Sequence, residues 1–225
     1  MSNTMKLSRR KIGTVLGAAF VTGAAHAQFG ALLGGGGDKG SGNIETDVKN
    51  FLDLSVNIER TLYSASLAII AAFQSEEERA KSQASLEEIK KSTDPKEAGA
   101  RFQAVSESTS AQMKKLSAST DLADKTKNLS EAKQKQVAVG VGNFLLGALQ
   151  AKDLLPSGQA VMKGVSSNPM NITKVIPVKD ALPRLASAIS LAADTIPQFV
   201  KVLQGANISV PAPTSKSTAE PINEI

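Results

Sequence analysis

Three short stretches hold the residue types that could do covalent chemistry. "SEAK", Ser130 to Lys133, matches the serine-x-x-lysine pattern in which a lysine amine activates a serine nucleophile. The companion serine-aspartate-asparagine and lysine-threonine-glycine motifs are missing, so the match reads as the start of a helix. Glu76 to Glu78 offer adjacent carboxylates, but a first helical turn accounts for them, since negative charge there complements the helix dipole. A carboxylate-based hydrolase would need two acids, drawn from Glu76, Glu87, Asp153 and Asp194, to converge at roughly 5 to 9.5 Å across a cleft. "GVGNFLLG", within Val137 to Gln150, has glycines but neither the preceding strand nor the lysine of a phosphate-cradling loop.

Composition removes further chemistries. The chain has no cysteine and one histidine, His26. Beyond His26 it cannot build the usual zinc, copper or haem sites or a serine–histidine pair, and no metal or cofactor is expected. Tyr63 is the only tyrosine and tryptophan is absent, which argues against an aromatic sugar platform or a base-stacking surface.

His26 itself lies in a segment with the marks of export. Basic "KLSRRK", Lys6 to Lys11, precedes an apolar run from Ile12 to Ala25 and then "AHA", predicting a signal peptide over 1–27, cleaved near Ala27. The apolar run falls short of the roughly 20 residues that span a bilayer. "SRRKIG" also resembles the twin-arginine export motif, but Gly13 stands where a second hydrophobic residue belongs, so the general secretory route is favoured and the twin-arginine route is the alternative. Loss of Lys6, Arg9, Arg10 and Lys11, with no acid, takes the net charge from +5 to +1. The apparent basicity therefore belongs to the export signal, and no nucleic-acid partner is expected. The destination is periplasmic or extracellular.

The elements that would position any site are helical. Residues 28–43, "QFGALLGGGGDKGSGN", are too glycine-dense to order cheaply and read as a flexible linker. From Ile44 the apolar residues Val48, Phe51, Ile58, Leu62, Ile69 and Phe73 recur at helical spacing, while Asp47, Lys49, Asp53 and Glu59 are placed largely elsewhere around the wheel. Ser75 with Glu78 forms a capping box for a second helix to about Lys91. Asp94, Pro95 and Glu97 start a third, and Asn128 with Glu131 a fourth that ends near Leu155, before Pro156. Gly158, Gly164, Pro169 and Pro177 break the next region, leaving one short helix around Gln159 to Val165. Asp180 opens the last long helix, with Pro183 in its first turn. Residues 206–225 read as a disordered, polar, proline-rich tail. The fold class is thus all-α: an antiparallel bundle of about five helices forming a single domain over 44–205.

"VAVGVGNFLLGALQ", Val137 to Gln150, is apolar nearly all round and should be the central helix. Gly140 and Gly147, seven apart, share a face where a neighbouring helix can approach closely. With Phe144, Leu145, Ile189 and Phe199 they make the candidate packing or ligand surface. Charge is uneven: 43–131 is net acidic and 132–205 net basic. Lys133, Lys135, Lys152, Lys163, Lys174 and Lys179 could meet an anionic surface, though packing of the two halves against each other explains the asymmetry as well.

The segments "NFLLGALQAKDLLPSGQ", "NPMNITKVIPVKDALPRLASA" and "IPQFVKVLQGA" are similar to those of small exported helical proteins of Gram-negative bacteria. The resemblance implies export and a helical body and implies no chemistry. The expected function is that of a non-enzymatic periplasmic bundle that binds another envelope protein, or itself, as an accessory component, with peripheral membrane contact open to it. The alternative is a carrier holding a lipid or small apolar ligand between the helices around Leu145 and Ile189.

Overall fold

The computed structural model describes residues 44–91, 95–166, 172–222 and 225. The signal segment 1–27 and the linker 28–43 lie outside them. Among the described residues there are six helices and no strand: α1 (Ile44–Ala72), α2 (Glu76–Lys91), α3 (Pro95–Ser117), α4 (Leu122–Lys127), α5 (Glu131–Ser166) and α6 (Ile172–Gly205).

The start of α2 follows from its cap. The Ser75 amide donates to Glu78 Oε2 at 3.1 Å and the Glu78 amide donates to Ser75 Oγ at 3.4 Å, so two orphan donors are satisfied reciprocally. The start of α5 differs from expectation. Ser130, not Asn128, supplies the cap, its Oγ accepting from the Lys133 amide at 3.4 Å, while Asn128 closes the short α4 that the sequence pattern did not separate. The serine of "SEAK" is thereby assigned to a helix terminus.

The largest departures concern proline. The fourth helix does not stop before Pro156 but runs on through Ser166 as α5. The last helix begins at Ile172, not Asp180, and carries Pro177, Pro183 and Pro197 inside it. A helical proline frees the carbonyl four residues back. Those carbonyls belong to Lys152, Thr173, Lys179 and Ala193, all exposed, so water can take the lost bond. Buried Leu154, Gly158 and Val161 on one helix, and Val175, Val178 and Ala181 on the other, hold the inner faces continuous.

α1 is buried on two sides. Phe51, Ile58, Leu62, Ala65 and Ile69 face the main core with Val137, Val141 and Phe144 of α5 and Leu185, Ile196 and Phe199 of α6. Val56, Tyr63, Leu67 and Ala71 join Leu86 and Ile89 of α2 and Phe102 of α3 in a second core. α5 runs against α1, since Gly140 meets Ile69, Gly147 meets Leu62 and Gly158 meets Phe51. α6 runs with α1, since Lys174 pairs with Glu45 and Arg184 with Glu59.

The chain past α6 is extended yet seated on the helices, where the composition of 206–225 suggests a disordered tail. A Schellman turn directs it: the Ile208 amide reaches the Leu203 carbonyl at 2.9 Å and the Asn207 amide the Gln204 carbonyl at 3.0 Å, with Asn207 at φ 59°. The side chains of Ile208, Val210 and Ile222 then pack on the main core, and Ile225 is buried in the second. Specific partners outweigh the polar composition here.

Candidate functional site

The residues expected to form a packing or ligand surface fall into two sets. Gly140 and Gly147 face α1 at close range: a Cβ on Gly140 would stand 2.8 Å from Ile69 Cγ1, and one on Gly147 2.7 Å from Leu62 Cγ. Phe144 and Phe199 are both buried in the main core, with Ile189 partly buried against it and Leu145 half-buried on α5. None of the six lines the groove between α3 and α6.

That groove, of about 750 Å³, lies between the first halves of α3 and α6. α3 contributes Gly99, Gln103, Ser106 and Glu107, and α6 contributes Lys179, Asp180, Arg184 and Ser187. Its walls are of mixed charge, and Ala100, Pro177 and Pro183 add apolar surface between the polar groups. At its floor Arg184 turns inward to α1, where Nε donates to Glu59 Oε1 at 2.6 Å and Nη2 to Glu59 Oε2 at 3.3 Å, while Nη1 donates to the Asp180 carbonyl of its own helix at 3.0 Å. Glu59 is 1% exposed. Gly99 lets α3 cross directly over the guanidinium, with a Cβ there 3.6 Å from Nη2.

Electrostatics at this floor are set by burial. Loss of water pushes the Glu59 carboxyl above its ordinary range, a shift that the Arg184 hydrogen bonds and charge oppose. Burial also disfavours the charge on Arg184, but hydrogen bonding and attraction to Glu59 outweigh it and hold the guanidinium protonated. One turn on, Tyr63 packs its ring 5.4 Å from that of Phe102, and burial, then the Glu59 charge, drives its phenol well above the usual tyrosine range.

Glu59 corrects the helical-wheel reading, which set it outside the apolar face of α1. Val56, Glu59, Tyr63 and Leu67 follow one another at three and four residues, a second stripe that brings the carboxylate inside with its neighbours. That stripe was the signal available in the sequence. Arg184 had none beyond its lone basic charge among apolar neighbours.

The remaining chemical candidates are scattered. Glu76 is exposed in the first turn of α2, Glu87 pairs with Lys90 at 3.0 Å, and Asp194 pairs with Lys114 at 3.8 Å. None of these acids, nor Asp153, lines the groove. Among the described residues no group of three or more His, Cys, Asp or Glu is placed to hold a metal ion, and no helix is long and apolar enough to cross a membrane. Of the six lysines on the basic half, Lys179 edges the groove and Lys174 pairs with Glu45.

No protein-family model, curated protein or solved structure matches the chain.

Proposed function

We propose that this is a non-enzymatic, exported helical-bundle protein that binds another protein of the cell envelope, with the groove between α3 and α6 as its contact site. The observation that carries the reading is the groove itself: an open recess of mixed charge between two helices, walled by hydroxyl, amide and charged side chains together with Ala100, Pro177 and Pro183. Such a mixed surface suits a polypeptide partner, whose donors and acceptors its polar groups can satisfy while its prolines take apolar side chains. The sequence supports the non-enzymatic part, because His26 and the absence of cysteine leave residues 28–225 without the common nucleophile–base pairs. Export rests on the 1–27 segment. For the carrier alternative the structure offers no specific support, since Phe144 and Phe199 are spent on core packing.

A photo-crosslinking residue placed at Gln103 or Ser187 in the producing cell tests the proposal, with the exposed Ala160 of α5 as control. A discrete polypeptide adduct from the two groove positions, and none from Ala160, is the expected outcome. Equal labelling at all three positions would remove the groove as the contact site. An adduct of lipid mass would transfer the assignment to the carrier reading.

A further inference from the structure

The outer face of α5 is where the extended C-terminal chain lies, and the way it is held separates it from ordinary core packing. Asn143, 5% exposed, uses both ends of its side-chain amide on one residue of the tail: Nδ2 donates to the Glu220 carbonyl at 2.7 Å, and Oδ1 accepts from the Glu220 amide at 2.9 Å. Gln150, two turns along, donates to the Ser215 carbonyl at 3.2 Å. Gln83 of α2 accepts from the Ile225 amide at 2.9 Å. All four bonds end on main-chain atoms of the tail, the groups every polypeptide presents. This is how strand-adding domains take peptides, with side-chain amides here standing in for a sheet edge.

Shape adds to this. Gly142 lies under the ring of Pro211, and a Cβ at that glycine would come within 3.1 Å of it. The tail has little structure of its own, a single turn in which the Ser217 amide donates to the Thr214 carbonyl at 2.9 Å, so its path is imposed by the helices. It passes Gly142 at Pro211, reaches Gln150 at Ser215, and comes back to Asn143 at Glu220. Its apolar anchors are few and small: Ile208, Val210, Ile222 and Ile225.

We propose that this face of α5 is a binding groove for extended polypeptide, occupied by the chain's own residues 208–222 and open to exchange for a proline-bearing extended segment of a partner protein. The inference is independent of the groove between α3 and α6. Recognition of main-chain atoms makes the site tolerant of sequence, so the resident segment has no exclusive claim to it. What favours the resident is its tether, which sets an effective concentration on the order of millimolar.

Hydrogen exchange on the isotopically labelled full chain, with a synthetic peptide of residues 206–225 as competitor, tests this. The Glu220 and Ile225 amides are expected to be protected in the free chain and to lose protection saturably as the peptide is raised into the millimolar range, while α1 and α5 amides stay protected. The same peptide N-methylated at Glu220, which lacks the donor to Asn143, is expected to displace nothing. Asn143→Ala should speed exchange at Glu220 by at least about tenfold and leave helix protection intact. Three results would each overturn the proposal: an unprotected Glu220 amide in the free chain, protection that millimolar peptide does not shift, or displacement that melts α5. The first removes the contact, and the other two make the tail a fixed part of the fold. Because the methylated peptide leaves the protein unaltered, the outcome does not hang on the folding of the Asn143 variant.

Discussion

Two helix contacts in this molecule are both made across glycine and have opposite characters. Between α5 and α1, Gly140, Gly147 and Gly158 are notches into which Ile69, Leu62 and Phe51 fit so closely that an added methyl would stand 2.5 to 2.8 Å from them. Between α3 and α6, Gly99 leaves a methyl 3.6 Å of room and lies over a charged guanidinium. The first contact is dry and gains from dispersion and burial. The second lies over an ion pair that ties α6 to α1, whose desolvation cost is offset by its bidentate geometry. Glycine in a helix therefore announces close approach, and the residue it faces decides whether the result is a sealed seam or a recess.

The largest effect is expected where the second contact loses its charge balance. Arg184→Met leaves a carboxylate at 1% exposure without its partner and should cost about 3–5 kcal/mol at neutral pH. Urea unfolding at pH 7 and at pH 5 checks the mechanism. The cost should shrink on acidification, as Glu59 takes up a proton; a cost indifferent to pH would mean that Arg184 acts by packing alone.

The seam should yield less. Gly158→Ala places a methyl 2.5 Å from Phe51 Cε2 and 2.7 Å from Leu182 Cδ2. Overpacking of this kind costs about 1–3 kcal/mol, against roughly 1 kcal/mol regained in helix propensity, so a net loss is expected in thermal or urea unfolding. Gly99→Ala, with ordinary van der Waals room, should be neutral or slightly stabilising. If the two substitutions behave alike, the distinction between seam and recess fails.

Glu59→Gln sharpens the comparison through its pH dependence. The folded-state pKa of Glu59 is raised above the ordinary 4.5, so the folded chain binds this proton more tightly than the unfolded one. Its contribution to stability is full below that value and is lost as pH rises through the folded pKa. The stability of the unsubstituted protein relative to Glu59→Gln should therefore fall as pH is raised from 4.5. The opposite slope would show that the Arg184 pair, not burial, sets the titration.

A small gain is expected at Gly164, near the end of α5, where an added Cβ would lie 3.7 Å from Ile44 Cδ1. Gly164→Ala should stabilise by about 0.5–1 kcal/mol, because it stiffens the unfolded chain without crowding the folded one.

Local signals made much of this fold legible. The Ser75–Glu78 box, the stripe through Phe51, Leu62 and Ile69, and the seven-residue interval between Gly140 and Gly147 each act within two turns, and the structure uses all of them. What was not legible depends on distant partners. Pro156 and Pro177 read as breaks because propensity is local, whereas the packing of Gly158 on Phe51 and Leu182 that carries α5 onward is not. The tail read as disordered because its composition is polar, and its holders, Gln150 and Asn143, lie 65 and 77 residues back. The groove was missed for the same reason: Glu59 and Arg184 are 125 residues apart, and neither predicts the other.

The bond from the Ile225 amide to Gln83 joins residues 142 apart, and through it a segment made late is fastened to a helix made early in synthesis. On a ribosome, α1, α2 and α3 can assemble while their outer apolar ground beside Tyr63 and Leu86 stays bare. That ground is covered only when Ile222 and Ile225 arrive. The nascent chain thus carries a timed vulnerability, a window in which chaperones and proteases meet an apolar patch that the finished protein no longer shows.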